Sequence, residues 1–128
     1  MVSKKLLWVF AVLALIILMP SSYAFANKSA ASIQAPSEAV KGSEVIIRVT
    51  VTHDANNVLH HTEWLYVMVN GKEVARWNYT AFNRPEAEIF TKEIKYTATD
   101  NTLQIKAEAS CNLHGSAGPA TATISVKE

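Results

Sequence analysis

The residues able to do metal chemistry in this 128-residue chain are its only cysteine and its four histidines. Cys111 and His114 stand three positions apart, directly before Gly115, in the segment Cys-Asn-Leu-His-Gly. A thiolate and an imidazole at this spacing can reach one ion across a turn, and the glycine lets the backbone reverse tightly. Nitrogen donors with one sulfur suit iron, copper or zinc and do not suit calcium or magnesium. The pair therefore predicts a transition-metal site.

Two further candidate ligands follow from the strand pattern. Odd-numbered apolar residues run through positions 45–51 and through positions 103–109, and the two runs continue to His53 and Cys111. Because alternate side chains of a strand share a face, both polar side chains are expected on the core side, at the rim where their strands end.

A histidine pair precedes the predicted strand at 62–69. Neighbouring residues of an extended segment point to opposite faces, so only one of His60 and His61 can easily face the same site. His60 shares the parity of Thr62 and Trp64.

The elements that must position these residues are strands, because the hydrophobic period is two almost throughout the chain. Asn70-Gly71 predicts a two-residue hairpin turn. The pattern predicts an all-β, immunoglobulin-like antiparallel β-sandwich. Its seven strands are expected at about 31–35, 44–53, 62–69, 72–79, 88–96, 103–110 and 119–127.

The first 26 residues are predicted to be a secretory signal peptide. Lys4 and Lys5 precede the apolar run at 6–19, and Ala24-Phe25-Ala26 gives a small-residue cleavage site. The apolar run is shorter than the roughly 20 residues that a membrane span needs, and an uncleaved anchor is the alternative. We therefore predict an exported, periplasmic or extracytoplasmic domain at 27–128, with no stable membrane partner after cleavage.

Composition limits the function classes. The net charge of +1 with no basic stripe argues against nucleic acid as the main partner. One cysteine excludes a disulfide framework within the chain. Taken alone, His53 fits a hydrogen-bonded rim histidine, the His60-His61 pair fits a solvated surface, and Cys111 fits a small buried hydrophobe. In an oxidising compartment, however, a free thiol is a liability, and a bound metal would protect it.

The segments His-His-Thr-Glu-Trp at 60–64 and Cys-Asn-Leu-His-Gly at 111–115 resemble the two signature segments of superoxide reductases, the iron domain of neelaredoxin and desulfoferrodoxin. The stretch at 33–44 also resembles that family's first strand and turn, so the resemblance covers roughly residues 28–128. It implies a mononuclear non-haem iron that reduces superoxide to hydrogen peroxide by giving it one electron. An external electron donor protein must then return that electron to the iron.

The resemblance also implies the site residues. Cys111 would be the axial thiolate, and His53, His60 and His114 would be equatorial ligands, whereas His61 matches a position that is usually not a ligand. Lys28 would attract superoxide. The family's fourth histidine lies in a Glu-Lys-His run, which aligns here with Asn27-Lys28-Ser29, so the resemblance implies a divergent member that lacks one histidine ligand.

The fourth equatorial position is then left to water, to His61 after a local twist, or to a group from another chain, so a homo-oligomer is one possible arrangement. Asp54 also replaces the proline that follows the family's first histidine. Two other functions stay open. One is a non-catalytic metal-binding or interaction module, and the other is a copper electron-transfer protein, although no methionine follows Cys111.

Overall fold

The computed structural model describes residues 27–128. The predicted signal peptide at 1–26 therefore lies outside the described residues. Within 27–128, no helix has the length and apolar character needed to cross a bilayer.

The described chain forms eight strands in two sheets. The strands are β1 (Ala30–Gln34), β2 (Glu38–Val40), β3 (Glu44–Thr52), β4 (Thr62–Val69), β5 (Lys72–Asn78), β6 (Ile89–Thr97), β7 (Thr102–Cys111) and β8 (Ala120–Lys127). One sheet has three strands in the order β1-β3-β6, and the other has five in the order β2-β8-β7-β4-β5. The predicted all-β sandwich is confirmed.

The eighth strand, β2, is the element that the sequence pattern did not predict. It is three residues long, so its polar and apolar residues make no recognisable alternation. It pairs with β8 in parallel, whereas the other pairings between these strands are antiparallel. The predicted antiparallel sandwich therefore carries one short parallel pairing at this edge.

The core lies between the sheets and fixes the direction of two candidate ligands. Ile47, Val49 and Val51 of β3 are fully buried, as are the facing side chains of β7. Each such aliphatic side chain contributes about 1.5–3 kcal/mol by its burial. Because the same faces continue to His53 and Cys111, packing along the strands holds both residues on the inner side of one rim.

The predicted hairpin at Asn70-Gly71 is confirmed by its backbone. Asn70 and Gly71 have φ angles of 51° and 80°, the pair of positive values that a type I′ turn requires. The Asn70 side chain also accepts a hydrogen bond from the main-chain N–H of Gln104 at 2.8 Å. This contact ties the hairpin to the start of β7, at the opposite end of the sandwich from the candidate ligands.

Tyr79, after β5, carries a buried hydroxyl that has no hydrogen-bond partner. Burial, with a smaller effect of Glu86, raises the pKa of Tyr79 to about 12. At neutral pH, we expect the free energy of unfolding of Tyr79→Phe to equal that of the native protein or to exceed it by up to about 1 kcal/mol. The unfolded tyrosine ionises near pH 10 and the folded one near 12, so the native protein should lose stability across that window. Urea unfolding of both proteins at pH 7 and pH 11 measures this loss of stability. A greater loss between the two pH values in Tyr79→Phe than in the native protein would contradict the prediction.

Candidate metal centre

Cys111, His53 and His60 converge at one end of the sandwich. Their ligand atoms all lie within 4.8 Å of one another. Cys111 ends β7, His53 directly follows β3, and His60 stands two residues before β4. Pairing of Thr62 with Cys111 brings the beginning of β4 beside the end of β7. The register of the five-stranded sheet therefore places Cys111 and His60 side by side, and the three-stranded sheet places His53 opposite them.

His114 lies against this group through the turn that the sequence predicted. Its Nδ1 is 3.2 Å from Nε2 of His60 and 3.9 Å from Sγ of Cys111. Gly115, with a φ of 79°, closes the turn through two main-chain hydrogen bonds with Cys111. All four residues predicted as ligands thus lie together at one rim.

The Cys111 sulfur accepts hydrogen bonds from the main chain of the turn that follows it. The main-chain N–H groups of Leu113 and His114 both donate to Sγ, at 3.4 Å. Only 2% of Cys111 is exposed. Such N–H donors around a sulfur are a typical outer shell of a metal thiolate, because they partner the charge that the ligand carries.

His53 is oriented by the loop that follows it. Its Nδ1 lies 2.8 Å from the main-chain oxygen of Ala55. With the ring hydrogen on Nδ1 and donated to this oxygen, the lone pair of Nε2 is available to a metal. Its ring meets that of His60 edge to face, with centroids 4.7 Å apart. This orientation presents the Nε2 lone pair to the rim, as a metal ligand would need.

Electrostatics keep His60 in the form that binds metals. Burial lowers the pKa of His60, and the neighbouring His53 lowers it further, while Asp54 acts in the opposite direction. The lowered pKa favours the neutral imidazole, whose lone pair is available for coordination.

His61 stays outside the cluster. It is 4% exposed, and its Nδ1 lies 3.1 Å from the main-chain oxygen of Asn57. The ring therefore supports the loop at 57–60. The local twist that would bring His61 to the fourth position is not seen in this arrangement.

Asn112 is a residue of the site that sequence reasoning left without a role. Its side chain accepts a hydrogen bond from the N–H of His61 at 3.0 Å and donates one to the main-chain oxygen of Leu59 at 3.1 Å. It thus joins two loops that are 51 residues apart in the chain. Its place inside the Cys-x-x-His segment was the only signal available.

The segment at 27–29 is the second part of the site that the pattern left undefined. Ser29 is fully buried, and its hydroxyl bonds the buried Thr62 hydroxyl at 2.7 Å. Lys28 is half-buried beside it. The main-chain oxygen of Asn27 lies 3.3 Å from Nε2 of His53. The segment aligned with the missing histidine is therefore held against the ligand cluster.

The donor set fits a transition metal. Three imidazole nitrogens and one sulfur match the ligands that iron, copper and zinc accept. The desulfoferrodoxin family profile matches residues 22–116, most of the chain. The chain belongs to the desulfoferrodoxin family.

Solved structures share the fold of this desulfoferrodoxin-family chain. A superoxide reductase (neelaredoxin) from Ignicoccus hospitalis is 24% identical, with 78% of this chain and 82% of that one covered and a TM-score of 0.53. The PKD domain of an M14-like peptidase from a Thermoplasmatales archaeon is 11% identical, covers 80% and 99%, and has a TM-score of 0.60. A CARDB domain from Pyrococcus furiosus is 15% identical, covers 77% and 87%, and has a TM-score of 0.58.

These likenesses establish the fold alone, because the same sandwich serves in proteins with different names and roles. A search of curated proteins found no match.

Proposed function

We propose that this protein is an exported iron protein that reduces superoxide to hydrogen peroxide. The observation that carries the proposal is the convergence of three histidines and the single cysteine at one rim. Membership of the desulfoferrodoxin family supports iron over copper and zinc for this donor set.

The chain's own residues prepare the site in three ways. Neutral His60 and oriented His53 offer nitrogen lone pairs, and two N–H donors partner the Cys111 sulfur. Bound iron would supply the electron that superoxide takes up. Lys28 lies in the segment packed on the site, and its positive charge would attract a small anion and raise the encounter rate.

The reaction needs an external electron donor. Superoxide gains one electron and two protons to become hydrogen peroxide, so each turnover leaves the iron one electron short. Within residues 27–128, one cluster of metal-ligating side chains is found, and it is this one. A donor protein that docks at the rim would therefore restore the reduced state.

Export is part of the same proposal. The charged, apolar and small-residue regions at 1–26 follow the order of a secretory signal. Mass spectrometry of the protein recovered from its native compartment should give a chain that begins at Asn27. Intact protein in the membrane fraction would favour the anchor instead.

The copper alternative is disfavoured by the position of Met68. This methionine lies six residues along β4 from Thr62, about 20 Å from the rim at the rise of a strand. It cannot supply the weak axial ligand that such copper sites use. The missing fourth histidine favours the other alternative, a non-catalytic module. The metal-replacement assay described next distinguishes such a module from an enzyme.

The test is a comparison of the iron-loaded and zinc-loaded protein. Zinc occupies the same kind of site but has no redox chemistry, so it provides a matched inactive form. We expect the Fe(II) form to consume superoxide and yield one peroxide per superoxide, whereas dismutation would yield one peroxide per two. Equal rates for the two metal forms would contradict the proposal and favour the binding module.

A further inference from the structure

The main-chain oxygen of Asn27 faces the ring nitrogen of His53 through which a metal would be bound. In the tautomer that binds a metal through Nε2, the N–H of His53 is at Nδ1 and donates to the oxygen of Ala55, at 2.8 Å. Nε2 of His53 and the oxygen of Asn27 then stand 3.3 Å apart as two acceptors. Two lone pairs at this separation repel unless a proton or a cation lies between them.

The ring that this oxygen faces is itself in contact with the second histidine. The rings of His53 and His60 meet edge to face, with centroids 4.7 Å apart. The oxygen therefore lies beside the nitrogen donors of the cluster.

Main-chain and side-chain contacts two residues away fix this oxygen in place. The N–H of Ser29 donates to Gly115 at 3.3 Å, and the N–H of Ala117 donates to Ser29 at 2.9 Å. The buried hydroxyl pair of Ser29 and Thr62 adds a third tie. The segment is thus attached to both the Cys-x-x-His turn and the beginning of β4.

We infer that the carbonyl oxygen of Asn27 would be a further ligand of the metal, in the place of the absent histidine. Main-chain carbonyls are ordinary oxygen ligands in proteins. Two ligands at right angles, each about 2.1 Å from an ion, lie about 3 Å apart. The 3.3 Å between Asn27 and His53 and the 3.2 Å between His60 and His114 are close to that spacing. This inference rests on the proposed iron site.

Asp54 is the competing oxygen donor. Its Oδ1 is 3.5 Å from Nε2 of His53, but its side chain is 42% exposed. The Asn27 oxygen is closer to this nitrogen, at 3.3 Å, and belongs to a segment held by three hydrogen bonds. The structure therefore favours the carbonyl as the ligand, with the carboxylate as a nearby negative charge that favours a bound cation.

The experiment labels the carbonyl carbon of asparagine with ¹³C in the full chain and loads the protein with iron. Electron–nuclear double resonance of the Fe(III) state should show a ¹³C coupling. In Asn27→Gln the main-chain carbonyl remains but the label is absent, so the coupling should disappear while the iron signal is unchanged. Asn101→Gln, which removes a labelled residue on the exposed β6–β7 turn, should keep the coupling.

Two results would overturn the inference. One is an iron-loaded protein without the coupling, and the other is a coupling that survives Asn27→Gln. Where the coupling is lacking, a change in the iron signal of Asp54→Asn would assign the ligand to Asp54. Both results leave the iron site itself intact. Failure to bind iron at all would overturn this inference together with the proposed function.

Discussion

Cys111→Ser is expected to abolish the sulfur-to-Fe(III) charge-transfer band of the iron-loaded protein. The band requires a thiolate bound to the metal, and serine offers only a smaller hydroxyl oxygen. Loss of an outer-shell partner of a metal ligand already costs 10–100-fold in affinity, so loss of the ligand itself should weaken iron binding by about 100-fold or more. Optical titration of the apoprotein with iron measures both effects.

The matched control for this variant is Leu113→Ala. Leu113 is exposed and lies in the same turn, and its contribution to the sulfur is a main-chain N–H that alanine retains. Its charge-transfer band and iron affinity should stay close to those of the native protein. A band that persisted in Cys111→Ser would show that the sulfur is not a ligand and would remove the basis of the redox proposal.

The sandwich fold and the placement of the candidate ligands at one rim could be predicted, because both depend on the alternation of apolar and polar residues along the strands. Core faces with a period of two predicted seven of the eight strands, and family membership and fold class are confirmed. The same parity placed His53 and Cys111 on the inner side of a rim, since a residue that continues a core face must point where that face points. Their role as ligands stays a prediction, which Cys111→Ser tests for the sulfur.

The rest could not be predicted, because it depends on contacts between distant segments. Strand β2 is held by its pairing with β8 and has too few residues to show a pattern of its own. The hydrogen bonds of Asn112 follow from the register of β4 against β7. The oxygen of Asn27 belongs to the main chain, which every residue carries, so no residue type indicates it. A ligand of this kind becomes visible only in three dimensions.

The histidine pair provides the other large effect. His60→Ala is expected to weaken iron binding by about 100-fold, because it removes a nitrogen that lies 3.2 Å from His114 inside the cluster. His61→Ala should weaken it by less than about tenfold, because that ring contacts Asn57 and supports the loop from outside. The two residues are adjacent and of one type, so each variant is the matched control of the other.

The free energy of unfolding should rank the two variants in the opposite order, with His61→Ala losing more than His60→Ala. His61 is buried and hydrogen-bonded, so its removal from the apoprotein should cost about 1–3 kcal/mol of unfolding free energy. His60 is only half-buried, and its pKa is lowered by its surroundings, so its removal should cost the apoprotein less. Iron titration and urea unfolding of the metal-free variants measure the two quantities independently. If His61→Ala lost more iron affinity than His60→Ala, the ligand would be His61, and the loop at 57–61 would have to rearrange when the metal binds.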